Sequence, residues 1–120
     1  MNETLVEFCL RIKNQLEVLH WQTGSYARHM AYGATYEAIG DFIDALMESY
    51  QGKYGRVRIE NPIVIKNIDD DTVGIFADET IELLVSWVPT FFEDNDNDLL
   101  NIRDEILAQF SKLKFLISLN

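Results

Sequence analysis

Apolar residues recur at spacings of three and four along most of this chain, the period of helices that bury one face. From about Glu3 to Trp21 the stripe is Leu5, Phe8, Cys9, Ile12, Leu16 and Leu19; Thr23-Gly24-Ser25 then interrupts it, with Gly24 as a C-terminal stop. A second helix is predicted from about Tyr26 to Gly52, with His29, Tyr32, Tyr36, Ile39, Ile43, Met47 and Tyr50 facing inward. So short a turn packs the two as an antiparallel hairpin. From Tyr54 to Phe76 the pattern changes. Val57-Arg58-Ile59-Glu60-Asn61-Pro62-Ile63-Val64-Ile65 is β-branched and contains a proline, which predicts extended chain long enough to run back along the whole bundle. A third helix is expected from Asp78 as N-cap, with Ile81, Leu84, Val85, Val88 and Phe92 inside and Pro89 ending it early. After the acidic loop Glu93–Asp98, a fourth helix carries Leu99, Ile102, Ile106, Phe110, Leu113 and Ile117. The pattern predicts an all-α protein: one domain over residues 1–120, a four-helix bundle with one long extended crossover between helices 2 and 3.

Composition narrows the function classes. With 120 residues and 48% hydrophobic content there is material for a real core. No run approaches the roughly 18 apolar residues of a membrane span, the acidic N-terminal stretch lacks the basic region of a signal peptide, and a lone cysteine, Cys9, fits a reducing compartment. A cytoplasmic location is therefore expected, with Cys9 a buried small hydrophobe. The net charge of −10 argues against a sequence-independent grip on DNA or anionic lipid, and the densest cations, Lys53, Arg56 and Arg58, are followed at once by Glu60.

Candidate chemistry gathers at the first hairpin. The only histidines, His20 and His29, flank its turn, and Asp44 and Glu48 leave one face of the second helix as i,i+4 neighbours. Two imidazoles with two carboxylates suit iron or zinc and suit calcium or magnesium poorly. At about 100° per residue, His29, Tyr36, Gly40 and Met47 share a face; Glu37, Asp44 and Glu48 lie on its flank with Gly33 nearby. Gly33 and Gly40 would let another backbone approach closely. Glu17 stands three residues before His20, a Glu-x-x-His pairing of the kind that di-iron bundles use twice and that occurs here once. Each feature also has a plain structural reading: the acidic strip as a solvated edge, His20 as a hydrogen-bonded residue at the core's border, Trp21 as a packing residue at the bundle end or an interface. No phosphate loop, calcium loop or nucleophile–histidine arrangement is present.

A bundle with a single long crossover is the ferritin-like topology. His20-Trp21, Gly24, His29, Tyr36-Glu37, Asp44 and Glu48 resemble the Dps branch of the ferritin-like superfamily in order, and from His29 onward in spacing; the resemblance covers residues 10–52 and extends to a short, poorly characterised ferritin-like family found partly in viruses. It implies a homo-oligomer with a two-fold interface through helices 1 and 2, and a metal site at that interface. His20 and His29 would come from one subunit and Asp44 and Glu48 from its partner, with Glu17 and Glu37 as additional candidates. The implied substrate is iron, oxidised from Fe²⁺ for detoxification or storage, with zinc or another divalent metal able to substitute. This chain departs from the Dps pattern at Gly33, where an aspartate is usual, in the closer spacing of its histidines, and in lacking both the short crossover helix and the lysine-rich tail associated with DNA binding. Nucleic acid and membrane are accordingly not expected as partners. A metal-free structural or protein-interaction module on the same bundle is the alternative.

Overall fold

A computed structural model describes residues 2–119. It contains α1 (Leu5–Gln22), α2 (Tyr26–Tyr54), α3 (Val73–Ser86) and α4 (Asn97–Ile117), with 3₁₀ turns at Asp70–Thr72 and Val88–Phe91 and no strand among the described residues. Helix ends follow from local chemistry. Thr4 and Glu7 form a reciprocal capping box at the start of α1. Ser25 accepts from the Arg28 N–H at the start of α2. Gly55 ends α2 with φ of 89°, a conformation that side chains rarely adopt. None of these helices is long and apolar enough to cross a membrane.

α1 packs on α2, α2 on α4 and α4 on α3. The core they enclose includes Phe8, Ile12 and Leu16 of α1, Tyr32, Ile39 and Leu46 of α2, Leu84 of α3, and Leu99, Ile106, Phe110 and Leu113 of α4. Cys9 is buried among them. Directions follow from contacts at the two ends. Arg28, near the start of α2, donates to the carbonyls of Asp70 and Ile117, so α3 begins and α4 finishes at that end. At the other end Tyr54 and Lys53 bind Asp96, just ahead of α4, and Trp87 meets Phe8 edge to face.

Residues 55–69 join α2 to α3 as a strap laid along α1. Four side chains of α1 and its C-terminal turn hold it in order: Glu7 binds the Glu60 and Asn61 N–H groups, Gln15 binds the main chain of Lys66, Gln22 binds Asn67, and Thr23 binds Asp70. From Glu7 to Thr23 the helix rises about 24 Å, and the strap covers that rise between Asn61 and Asp70 at roughly 2.7 Å per residue, close to extended chain.

Three expectations require correction. α3 begins at Val73, ahead of the expected Asp78, because Val73, Phe76 and Ala77 are all buried and tertiary packing overrides the extended preference of that stretch. Asp78 instead lies on the surface of α3 and pairs with Lys114 at 2.5 Å. Val85, expected inside, is 54% exposed, since burial on α3 follows Val73, Phe76, Ala77, Thr80 and Leu84. Trp21, at 67% exposure, does not close the bundle end. The 3₁₀ turn containing Pro89 does terminate α3 as expected.

The strap's hold on α1 carries a pH signature. The Thr4 N–H foremost, then the Glu60 N–H and both Asn61 donors, bring the Glu7 carboxyl down from 4.5 to about 2 against the burial that opposes them. A carboxyl whose folded pKa is depressed contributes stability that is full above about 4.5 and is lost as pH falls through about 2. Glu7→Gln is therefore expected to be less stable than the wild type at neutral pH and to show a flatter stability profile across that acid window. Urea unfolding at several pH values measures it; parallel profiles would show that the depressed pKa does not govern acid unfolding.

Candidate functional site

The turn Thr23-Gly24-Ser25 folds the end of α1 against the start of α2 and brings the two histidines face to face. Their rings stack with centroids 3.8 Å apart and planes 15° from parallel. His20 Nδ1 lies 2.7 Å from the carbonyl oxygen of His29, and His29 Nδ1 lies 2.8 Å from the carbonyl oxygen of His20. A carbonyl oxygen only accepts, so both Nδ1 atoms carry the proton and donate. In the neutral rings both Nε2 atoms therefore keep a free lone pair, the arrangement in which a main-chain carbonyl orients an imidazole for a ligand on its other nitrogen.

The departure at position 33 has a steric cause. A Cβ on Gly33 would lie 2.8 Å from both Cε1 and Nδ1 of His20, so the ring occupies the space where a side chain would begin. The close spacing of the histidines and the missing carboxylate are thus one feature: the short turn lays His20 onto α2, and only glycine fits beneath it. Around the pair, Tyr26 and Met30 are 77% and 54% exposed, with the Tyr26 ring 6.3 Å from that of His29. Together with Trp21 they give this end of the hairpin an open aromatic and thioether surface.

Glu37, Asp41, Asp44 and Glu48 continue the same side of α2 as exposed carboxylates, none in an ion pair among the described residues. Along the helix Asp44 stands about 22 Å and Glu48 about 28 Å from His29. One chain cannot bring these groups to a shared ion, and among the described residues no group of three or more histidine, cysteine, aspartate or glutamate side chains is placed to hold a metal. Glu17 is engaged elsewhere: its carboxylate lies beside the Tyr36 hydroxyl and, with desolvation adding, raises that phenol's pKa. The Lys13 ammonium sits 5.5 Å from the centroid of the Tyr36 ring. His20 is the hydrogen-bonded border residue of its structural reading, yet its Nε2 remains free.

Three further polar groups escaped sequence reasoning. Glu7 and Gln15 of α1 are buried beneath the strap, which they clamp, and the Arg28–Tyr32–Asp70 cluster pins the strap's end. A signal existed for Gln15: it stands three residues after Ile12 and four before Leu19, a core position that a polar residue occupies only with its bonds satisfied.

The family model described as a family of unknown function (DUF5856) matches residues 20–117, and the chain belongs to that family. Within the curated proteins it is similar to an uncharacterized 14.6 kDa protein in the mobD-ri intergenic region of Enterobacteria phage T4. The two are 27% identical over 100 residues, covering 83% of this chain and 74% of the phage protein. No solved structure matches the chain.

Proposed function

We propose that this protein is a ferritin-like homo-oligomer that binds a divalent metal between subunits and, with iron as substrate, oxidises Fe²⁺. The observation that carries this reading is the histidine pair, with both Nδ1–H groups committed to carbonyls and both Nε2 atoms free. The strap supports the ferritin-like assignment, because it returns the chain along α1 so that α3 runs in the direction of α2. A second α2 packed antiparallel across a two-fold axis near Glu37, midway between His29 and the Asp44–Glu48 pair, would bring one subunit's imidazoles to the other's carboxylates. Gly33 and Gly40, expected to admit another backbone, are instead covered by His20 and Lys13 of α1, so that approach would run over the exposed Ala34 and Glu37. Glu37 would then meet its own symmetry copy, a repulsion that a bound cation offsets. Imidazole nitrogen suits Fe²⁺ and carboxylate oxygen favours the harder Fe³⁺, so the donor set pulls the ion towards oxidation while oxygen or peroxide accepts the electron.

The test is metal analysis with aerobic ferrous oxidation on the wild type and on Asp44→Ala/Glu48→Ala. At least a tenfold loss of rate in the double variant is expected, about the scale on which a metal site responds to losing its supporting groups. Equal rates would remove the oxidation reading. The second reading, a metal-free interaction module, is favoured by the exposed Trp21, Tyr26 and Met30 surface; it predicts association through the α1–α2 face that Asp44→Ala/Glu48→Ala and chelators leave unchanged.

A further inference from the structure

The strap is extended chain with only part of its backbone bonded. Between Pro62 and Ile68, among the described residues, only Lys66 has main-chain partners: its N–H donates to Gln15 Oε1 at 2.9 Å, and its carbonyl accepts from Gln15 Nε2 at 2.8 Å. In extended chain the N–H and C=O of one residue leave on the same edge, and alternate residues use opposite edges. Since Lys66 faces α1, so do Val64 and Ile68, while Ile63, Ile65 and Asn67 present theirs outward. Side chains show the same alternation. Pro62, Val64, Lys66 and Ile68 line a groove of about 770 Å³ whose far wall includes Ile75 and Phe76 of α3, whereas Ile63 and Ile65 are half-buried outside it. Pro62 has no N–H, and its position falls on the edge facing α1, so the outer edge keeps every donor.

We propose that this outer edge pairs with the same edge of a second copy, strap against strap, antiparallel about a two-fold axis at Ile65. Free ladder groups are completed by a polypeptide in extended form, and helices use theirs internally, so within this chain the strap is the segment able to supply them. Centring the register on Ile65 sets Ile65 against Ile65 and Ile63 against Asn67, and every outward N–H and C=O finds a partner. On the groove side Lys66 then lies opposite Val64 and Pro62 opposite Ile68, so no like charges are directly opposed. Residues 55–69 carry Arg56, Arg58 and Lys66 against Glu60 and Asp69, a net charge of +1 in a chain of net charge −10, which makes the strap a face on which two copies repel each other weakly. Ile63-Val64-Ile65 is β-branched, as a paired strand favours. This contact uses a different element from the α1–α2 face and is independent of the metal reading.

Residue-resolved amide hydrogen exchange on the full chain, in dilute and in concentrated solution, tests the proposal. The Ile63, Ile65 and Asn67 amides are expected to slow by at least about tenfold with concentration while the Val64 and Ile68 amides do not change. Ile65→Pro, which removes the central outward donor, should abolish that protection; Val64→Pro, which removes an inward one, should keep it at Ile63, Ile65 and Asn67. The wild-type measurement stands without either variant. Exchange at Ile63, Ile65 and Asn67 that is independent of concentration, or protection that falls on the even-numbered residues, would overturn the proposal. So would loss of the protection in Asp44→Ala/Glu48→Ala, since it would trace the effect to the α1–α2 face; survival of the protection there separates this contact from any failure of the metal site.

Discussion

Tyr32→Ala is expected to lose about 3–5 kcal/mol of stability and Tyr32→Phe about 1–2 kcal/mol, the difference separating the ring from its hydroxyl. The ring is wholly buried in the core of α2. Its hydroxyl donates to Asp70 Oδ1 at 2.9 Å and accepts from Arg28 Nη1 at 3.0 Å. Arg28 also reaches the Asp70 carbonyl at 2.9 Å and the Ile117 carbonyl at 3.3 Å, and Asp70 Oδ2 accepts from Thr23 at 2.6 Å. One phenol thus sits at the junction of the α1–α2 turn, the strap's end and the end of α4. Burial, partly offset by Arg28, pushes its pKa up to about 12, so it remains a donor at any ordinary pH. Removing the hydroxyl leaves Asp70 and Arg28 short of a partner, whereas removing the ring opens a cavity as well. Urea unfolding of both variants checks the split. A chain of this length has roughly 6–18 kcal/mol in all, so the alanine variant should lie well towards unfolding. If Tyr32→Phe unfolded with the wild type, the cluster would be an ornament on an already rigid end.

The same junction marks where sequence reading stops. α1 and α4 were legible because their apolar residues keep a strict three-four spacing and their outer faces are polar, so period alone locates them. α3 was misplaced by a turn because Val73-Gly74-Ile75-Phe76 has no polar face to reveal a helical period, and only its burial against the rest of the bundle decides its form. The strap's extended character was legible from β-branching and Pro62. Its path was not, because that path depends on Glu7 and Gln15, whose partners lie more than fifty residues away in the chain. At the candidate site, His20 and His29 could be paired from their place beside one turn. Their mutual stacking, the tautomer that the two carbonyl hydrogen bonds impose and the reason for Gly33 all depend on the angle of that turn, which residue spacing does not encode.

That angle can be tested through glycine. Gly33→Ala and Gly40→Ala are the same change in the same helix, each worth up to about 1 kcal/mol of added helix stability. At Gly40 the new Cβ would lie 3.5 Å from Lys13 Cε, an ordinary contact, so the full gain is expected. At Gly33 it would stand 2.8 Å from two atoms of the His20 ring, which is held from the other side by His29 at 3.8 Å and by the His29 carbonyl at 2.7 Å. The ring must leave its stack, at an overpacking cost of about 1–3 kcal/mol, so Gly33→Ala should be destabilised relative to Gly40→Ala by a similar amount. In a His20→Ala background the clash disappears, and Gly33→Ala should become stabilising; this non-additivity in unfolding free energy is the diagnostic result. The same reasoning bears on the metal reading. An aspartate introduced at position 33 while His20 is present would displace an imidazole rather than join it, so Gly33→Asp is expected to weaken metal binding in a titration even though it adds a carboxylate. Tighter binding by that variant would mean that the ring moves freely, and that the stacked pair does not set the geometry of the site.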